Sequence, residues 1–272
     1  STRVRSSAAS DVYKRQGFGV VMDLQAQYAE ATGNANGFPM SSTFIRGSLA
    51  ANKTFVDALL AVLNENVTYI TENAASMTQL LQSAGSTSAY PAASIPRCNV
   101  GVYSAAGVKA DVNDMLKVLN GVENVPDSVY YDEAQATEQG NGSGVLQLYV
   151  PDGAPALAVA KLVAEKDTLT VAGYTVNVHI VPANTIAAHI AKGDGDIVIM
   201  PANGGANLVV QGADYKFLCS NTRGILYMIS TSEGSVSPED LAGKTVGCIG
   251  QGAVPQYAFE RILAANGLVI EK

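Results

Sequence analysis

An α/β fold with a mostly parallel sheet flanked by helices is predicted by three observations. Strand and helix patterns alternate through residues 145–272, amphipathic helical periodicity fills much of residues 52–119, and the 272-residue composition is globular, 47% hydrophobic and 15% charged. Strands that alternate with helices pair in parallel through crossover helices, which then cover both faces of the sheet.

Along the first half, Gly17-Phe-Gly-Val-Val-Met-Asp-Leu24 is an apolar run, Gly33–Gly37 a Gly/Asn-rich turn and Ser42-Thr-Phe-Ile-Arg46 a strand. Asn52 is placed to cap the next helix. Phe55, Val56, Leu59, Leu60, Leu63, Val67 and Ile70 recur at three- and four-residue steps, which sets out an amphipathic helix of about five turns. Met77, Leu80 and Leu81 mark a second helix ended by Gly85, and Val108, Val112, Met115 and Leu119 a third. Residues 132–144 hold nothing large and apolar, so they are expected to form a flexible linker between 17–131 and 145–272.

The second half predicts strands over 145–150, 175–181, 196–200, 224–230 and 244–249. Helices are predicted around Leu157–Val163 and over 184–192, 203–211 and 254–266, with a helical turn at 238–241. A loop is expected at Cys219.

Charge and cysteine content narrow the function classes. The net charge is −7 and the sequence pI about 4.8, which argues against a nucleic-acid partner. Ser6–Gln16 reads as a translated transposon-type sequencing adaptor, so residues 1–16 are set aside as an adaptor-derived, disordered segment. Without them 13 basic and 23 acidic residues remain, a net charge of −10. Cys98, Cys219 and Cys248 form no closed disulfide set and lack metal-ligand spacing, so they read as small buried hydrophobes. His179 and His189 read as structural, and no metal or catalytic group is expected. Asp194 and Asp196, flanking Gly195, read as a helix-to-strand turn.

Three stretches carry a family resemblance: Val145-Leu-Gln-Leu-Tyr-Val-Pro-Asp-Gly153, Gly193-Asp-Gly-Asp-Ile-Val-Ile-Met200 and Asp240-Leu-Ala-Gly-Lys-Thr-Val-Gly247. Together they resemble the opening of the extracytoplasmic solute-binding proteins of ABC importers, in the branch that groups thiamine-precursor, sulfonate and nitrate binders. The first half resembles that family's closing part, through Val20–Gln25, Phe38–Arg46, Ile95–Val100 and Pro126–Tyr131. The halves thus stand in reversed order. A tandem pair of domains and an assembly chimera both account for this. The resemblance implies a periplasmic-binding-protein-like lobe, circularly permuted, with the second lobe largely missing and residues 145–272 supplying lobe one and the start of lobe two. It also implies an extracytoplasmic monomer without cofactor that delivers a small organic or anionic solute to a membrane permease. The thiamine-pyrimidine-synthase enzymes of the same fold are the alternative; they carry a cysteine-rich iron motif that this chain lacks. A transcription-regulator sensor domain is a third reading, but no helix-turn-helix pattern precedes the strand–helix series.

In open α/β sheets ligands bind beyond the carboxyl ends of the strands. That rule selects Asp152, Gly153, Ala154 and Pro155 after the first strand of the second half, with a helix starting near Ala154 aimed at the ligand. A plain β–α turn with Asp152 as helix cap is the competing reading. Ala202 and Asn203 follow the third strand, Asn203 being either ligand contact or cap. Asn221 and Thr222 enter the fourth strand beside Arg223, which suits an anion but is by default solvated. Gln251 and Gly252 form a turn before the last helix. Gly250-Gln-Gly252 lacks the third glycine of a dinucleotide fingerprint, Pro255 standing in its place.

Overall fold

The computed structural model describes residues 2–6, 17–231 and 234–271. Its strands are β1 (Thr2–Ser6), β2 (Gly19–Asp23), β3 (Pro39–Arg46), β4 (Val100–Ser104), β5 (Gly144–Pro151), β6 (Tyr174–Val181), β7 (Ile197–Pro201), β8 (Tyr215–Arg223), β9 (Leu226–Ser230) and β10 (Val246–Gly247). Its helices are α1 (Leu24–Thr32), α2 (Gly47–Ala50), α3 (Lys53–Glu72), α4 (Met77–Ser83), α5 (Ala105–Asn120), α6 (Ala160–Ala164), α7 (Ile186–Lys192), α8 (Ala202–Val210) and α9 (Val254–Ala265).

A central six-stranded sheet runs in the order β4-β8-β3-β7-β5-β6. The two halves of the chain are interleaved in it: β3, from the first half, lies between β7 and β8, from the second. It is antiparallel to both, with Ser42–Ile45 opposite Met200–Ile197 on one side and Phe44 opposite Phe217 on the other. β5 pairs in parallel with β6 and β7, and β4 is antiparallel to β8. The α/β class is as expected, but the sheet is mixed rather than mostly parallel. Strand–helix alternation speaks only for strands of the second half; β3 and β4 enter against them.

Helices cover both faces. On one, Phe55, Val56, Leu59 and Leu63 of α3 pack on Leu148, Ile197 and Ile199. On the other, Val108, Val112 and Leu116 of α5 and Ile186 and Ile190 of α7 pack on Phe44, Val198 and Phe217. The predicted helices over 55–70 and 108–119 are therefore core-facing. Asn52 caps α3, its side chain accepting from Phe55 N at 3.4 Å. Buried Asn66 joins α3 to the second half, donating to Leu157 O at 2.9 Å and accepting from Lys161 N at 2.8 Å.

A smaller sheet, ordered β10-β1-β9-β2, also draws on both halves. α1 and α9 pack on it through Leu24, Tyr28, Tyr257, Phe259 and Ile262, and Met115 of α5 joins the same core. Only Val246–Gly247 of the strand expected over 244–249 is paired. The disorder expected of residues 1–16 is corrected over 2–6, where β1 pairs antiparallel with β9 and parallel with β10. An open strand edge accepts any extended segment through backbone hydrogen bonds, whatever its side chains. Residues 1 and 7–16, over which the adaptor reading also runs, lie outside the described residues.

Two other expectations are corrected. Residues 132–144 are not a free linker: Thr137 N donates to Ala51 O, Lys53 N to Thr137 O, and Gly142 N to Ala172 O. A segment with no apolar anchor can still be tied down when helix-end and loop backbone groups need partners. The loop expected at Cys219 is the interior of β8, fully buried from Phe217 to Thr222 apart from traces.

Candidate functional site

Because β3 is antiparallel to both β7 and β8, those two strands run the same way, and β5 runs with them. Their carboxyl ends, Pro151, Pro201 and Arg223, fall on one edge of the sheet. Ser41 of β3 is opposite both Pro201 and Thr222, so two strand spacings, about 10 Å, separate the ends of β7 and β8. This rim gathers three of the loops that the sequence selects, those at 152–155, 202–203 and 221–223, and their side chains have different fates.

Asp152 is spoken for. Its carboxylate accepts from Ser86 Oγ (2.6 Å), Thr87 N (2.8 Å), Thr87 Oγ1 (2.6 Å), Tyr90 Oη (3.1 Å) and Gly153 N (2.8 Å). Burial alone would raise its pKa; the bonds from Ser86 and Thr87 outweigh that and hold the carboxyl well below the usual range. It latches the 86–90 loop of the first half rather than capping a helix. Gly153 sits at φ 101°, where a side chain would be strained. The regular helix expected from Ala154 is a 3-10 segment, Ala154–Val159, with Pro155 in its first turn and Ala154 buried. With that short segment goes the argument for a helix dipole aimed at a ligand.

Asn221 and Thr222 are fully buried inside β8. Thr43 Oγ1 donates to Asn221 Oδ1 at 2.7 Å, and the Ser41 and Thr222 hydroxyls share a 2.7 Å bond. They hold β8 to β3 and have no free face for a solute. Gln251 and Gly252 are exposed on the turn before α9, where Gly252 N donates to Gln256 Oε1 at 2.8 Å. Among the described interactions none joins them to the rim.

Asn203 and Arg223 differ from these. Ala202 and Asn203 open α8 and are buried. Asn203 is not the cap, which falls at Pro201. Its Nδ2 reaches Asn120 Oδ1 at 3.5 Å while its Oδ1 has no partner. Arg223, expected to be solvated, is 8% exposed. Its guanidinium lies 3.2 Å from the centre of the Tyr103 ring, Nη2 donates to Asn36 Oδ1 at 3.4 Å, and Nε is buried without a partner. The ring that covers it comes from β4, so nothing near Arg223 in the sequence announces its burial.

His179 lies on β6 and His189 on α7. Tyr149 is sandwiched between His179 at 4.6 Å and His189 at 3.7 Å, both rings stacked on it. His189 Nδ1 pairs with Asp194 at 2.8 Å, and His179 Nε2 bonds Gln147 Oε1 at 2.7 Å. Burial, and then the neighbouring His189, lower the pKa of His179. Asp196 pairs with Arg46 and accepts from Gln147 N at 2.7 Å, a turn-fixing role as expected. Cys98 and Cys219 are buried and Cys248 is exposed, and the Cys98 thiol donates to Ser94 O at 3.5 Å. Burial pushes the Cys219 thiol up to about 12. Among the described residues no three His, Cys, Asp or Glu side chains are grouped to hold a metal ion.

A cleft of about 420 Å³ lies between α1, α5 and α9, lined by Tyr28, Asp111, Asp114, Tyr257 and Arg261 among others. Arg261 and the Tyr257 hydroxyl both engage Asp114. Asp111 accepts from Asn34 Nδ2 at 2.8 Å and Tyr28 Oη at 3.5 Å, and burial raises its pKa. Sequence reasoning missed this cleft. Its walls come from three segments far apart in the chain, and no local motif marks them.

No family model and no curated protein matches the chain. Among solved structures, NikA from Brucella suis, in complex with Fe(III)-EDTA, is similar at 11% identity with a TM-score of 0.30; the match covers 84% of this chain and 56% of that one. This chain thus spans little more than half of that protein's length, and a likeness at this level carries no argument about binding.

Proposed function

We propose that this chain is the solute-binding part of an ABC importer, capturing a small organic or anionic nutrient outside the cytoplasm for a membrane permease. The observation that carries the reading is the pair Asn203 and Arg223. Both are buried at the carboxyl rim of the sheet, and both keep a polar atom unpartnered. Buried polar atoms are nearly always paired, so an unpaired set at a rim where α/β sheets take ligands calls for an outside partner. The order of the motifs, from Val145–Gly153 through Gly193–Met200 to Asp240–Gly247, supports placing the chain in the thiamine-precursor, sulfonate and nitrate branch. The interleaving of β3 between β7 and β8 supports a permuted lobe one. The small sheet then stands for the beginning of lobe two.

In a two-lobed binder, hinge closure brings both sets of loops onto the ligand. If two lobes shared a micromolar affinity of about −8 kcal/mol equally, one alone would retain about −4 kcal/mol, a Kd near 1 mM. Titration calorimetry and NMR shift mapping with a panel of small nutrients test this. The expected outcome is about millimolar binding, with shifts at residues 201–203 and 223, lost in Asn203→Ala. Shifts confined to other surfaces would refute the site. Sub-micromolar affinity would refute the missing lobe.

A further inference from the structure

A strand at a sheet edge carries backbone N–H and C=O groups with no neighbour, and proteins blunt such edges with charges, prolines, bulges or a covering segment. Among the described residues the two sheets end on β4, β6, β10 and β2. β4 breaks register between Val100 and Tyr103, and β10 has two residues. β2 breaks register between Val20 and Met22, and its Val21 O accepts from Val236 N at 2.9 Å. β6 is the exception. Its eight residues, Tyr174–Val181, pair with β5 without interruption and include no Pro, Lys, Arg, Asp or Glu.

The bonds at its ends fix which way its backbone groups face, since these alternate along a strand. Asp152 N, just past β5, donates to Val181 O at 2.8 Å. Thr175, Asn177, His179 and Val181 therefore turn their N–H and C=O toward β5. Tyr174 turns outward and exchanges two bonds with Val171. Ile180 turns outward too, its oxygen lying 3.8 Å from where a Cβ on Gly85 would stand. Between these borders, no backbone group among the described residues bonds the outward N–H or C=O of Val176, Val178 or Ile180.

We infer that β6 is the seam of a homodimer, in which two copies join their β6 edges antiparallel about a two-fold axis at Val178. The strand's fit to itself selects a second copy as its occupant. This axis sets Val178 against the partner's Val178 and Val176 against the partner's Ile180, so every outward group finds a mate. Moving the axis to Asn177 turns Ile180 toward the partner's Tyr174, which is already bonded to Val171. Moving it to His179 turns Val176 toward the partner's Pro182, which has no N–H. On the α3 face the half-buried Val178 and Ile180 gain cover from the partner's Val178 and Val176. On the other face the exposed Asn177 meets the partner's His179. The axis reverses strand direction, so the rims of the two copies point to opposite ends and each stays open. The seam is independent of the solute-binding reading and replaces the expected monomer.

The test is sedimentation equilibrium of the whole chain from about 10 µM to about 1 mM, with amide hydrogen exchange followed over the same range. One strand pair buries less than the ~1,200 Å² of a stable complex, so a Kd on the order of 100 µM is expected. The amides of Val176, Val178 and Ile180 should gain protection as concentration rises. Asn177→Lys keeps the pairing with β5 and puts a charge on the seam, and should weaken the dimer about tenfold or more. Val178→Pro removes an outward N–H and none from the β5 ladder, and should act likewise; Asn177→Lys carries the test where that variant fails to fold. Asn177→Cys mixed with His179→Cys, both with Cys248→Ser, should cross-link on mild oxidation, because opposed residues there lie about 4.5 Å apart. A chain that stays monomeric, a dimer untouched by Asn177→Lys, or a mixture that does not cross-link overturns the seam. Protection of Val178 that follows an added octathreonine peptide but not rising protein concentration overturns the choice of a second copy.

Discussion

Phe44→Ala tests whether the two halves of the chain fold as one unit. Phe44 is fully buried on β3 and meets the Phe217 ring of β8 edge-on, with centroids 5.1 Å apart at 81°. It faces α8 at Gly205, where an added Cβ would come within 2.3 Å of its ring. Truncation therefore opens a cavity walled by both halves. Removing a buried Phe costs about 3–5 kcal/mol, and the lost aromatic pair places this site in the upper part of that range, about 4–5 kcal/mol. Total stability for a domain is about 5–15 kcal/mol, so the variant should lose about a quarter or more of it. Urea unfolding followed by far-UV circular dichroism reads the loss; tyrosine emission is a second probe, the chain having 12 Tyr and no Trp. Hydrogen exchange then locates it. In a shared sheet, amides of β7 and β8 lose protection together with those of β3. The reasoning fails if the midpoint barely moves, or if β3 alone opens while residues 197–223 stay protected.

Other substitutions probe single joints. Gly205→Ala should destabilise by about 1–3 kcal/mol through overpacking on Phe44, and in the double variant with Phe44→Ala part of that cost should vanish; strictly additive melting shifts would contradict the contact. Asn66→Leu leaves Leu157 O and Lys161 N without partners, a loss of about 2–4 kcal/mol with faster exchange at the Lys161 amide, and an unchanged amide would discount the bridge. Asp152 has a folded pKa below its unfolded value of about 4. Its contribution is therefore complete above about pH 4 and fades as pH falls through the folded value. Asp152→Asn should cost about 1 kcal/mol at pH 7, and the gap from the unmodified chain should narrow toward pH 2; a gap independent of pH would rule out the latch.

What could be read beforehand depended on whether the cause was local. The stripe from Phe55 to Ile70 and the cap at Asn52 lie within one helix, and both are observed. Strands β5 to β7 announce themselves by apolar runs between turns. β8 does not, because Ser220-Asn-Thr-Arg223 is polar; those residues are tolerable in a core only because Ser41, Thr43 and Tyr103 meet them from more than 100 residues away. The 154–159 segment looks helical from its alanines, and Pro155 in its first turn fits either helix type. Asp152 carries the signature of a cap, yet the 86–90 loop takes both its oxygens. For Arg223 the general preference for solvent pointed the wrong way, since a ring delivered by β4 covers it. In each of these the deciding partner is remote in sequence and adjacent in space.

The same remoteness explains how two halves of the chain can build one sheet. Every residue of β7 except Pro201, and nearly all of β8, is buried on both faces. Without β3 between them, each would present a strand edge with unpaired N–H and C=O groups, a form that aggregates rather than persists. Backbone pairing does not register which segment came first in the chain. It requires only that the join between halves reach from Tyr131, whose N–H bonds Phe217 O, to Gly144 at the head of β5. Residues 132–144 make that crossing pinned at Thr137 against the start of α3. Loop-closure entropy rises only slowly with length, and the pinning divides this loop into shorter ones. The order of the two halves therefore adds little to the free energy of the sheet, whereas losing either half would remove the neighbours its strands depend on.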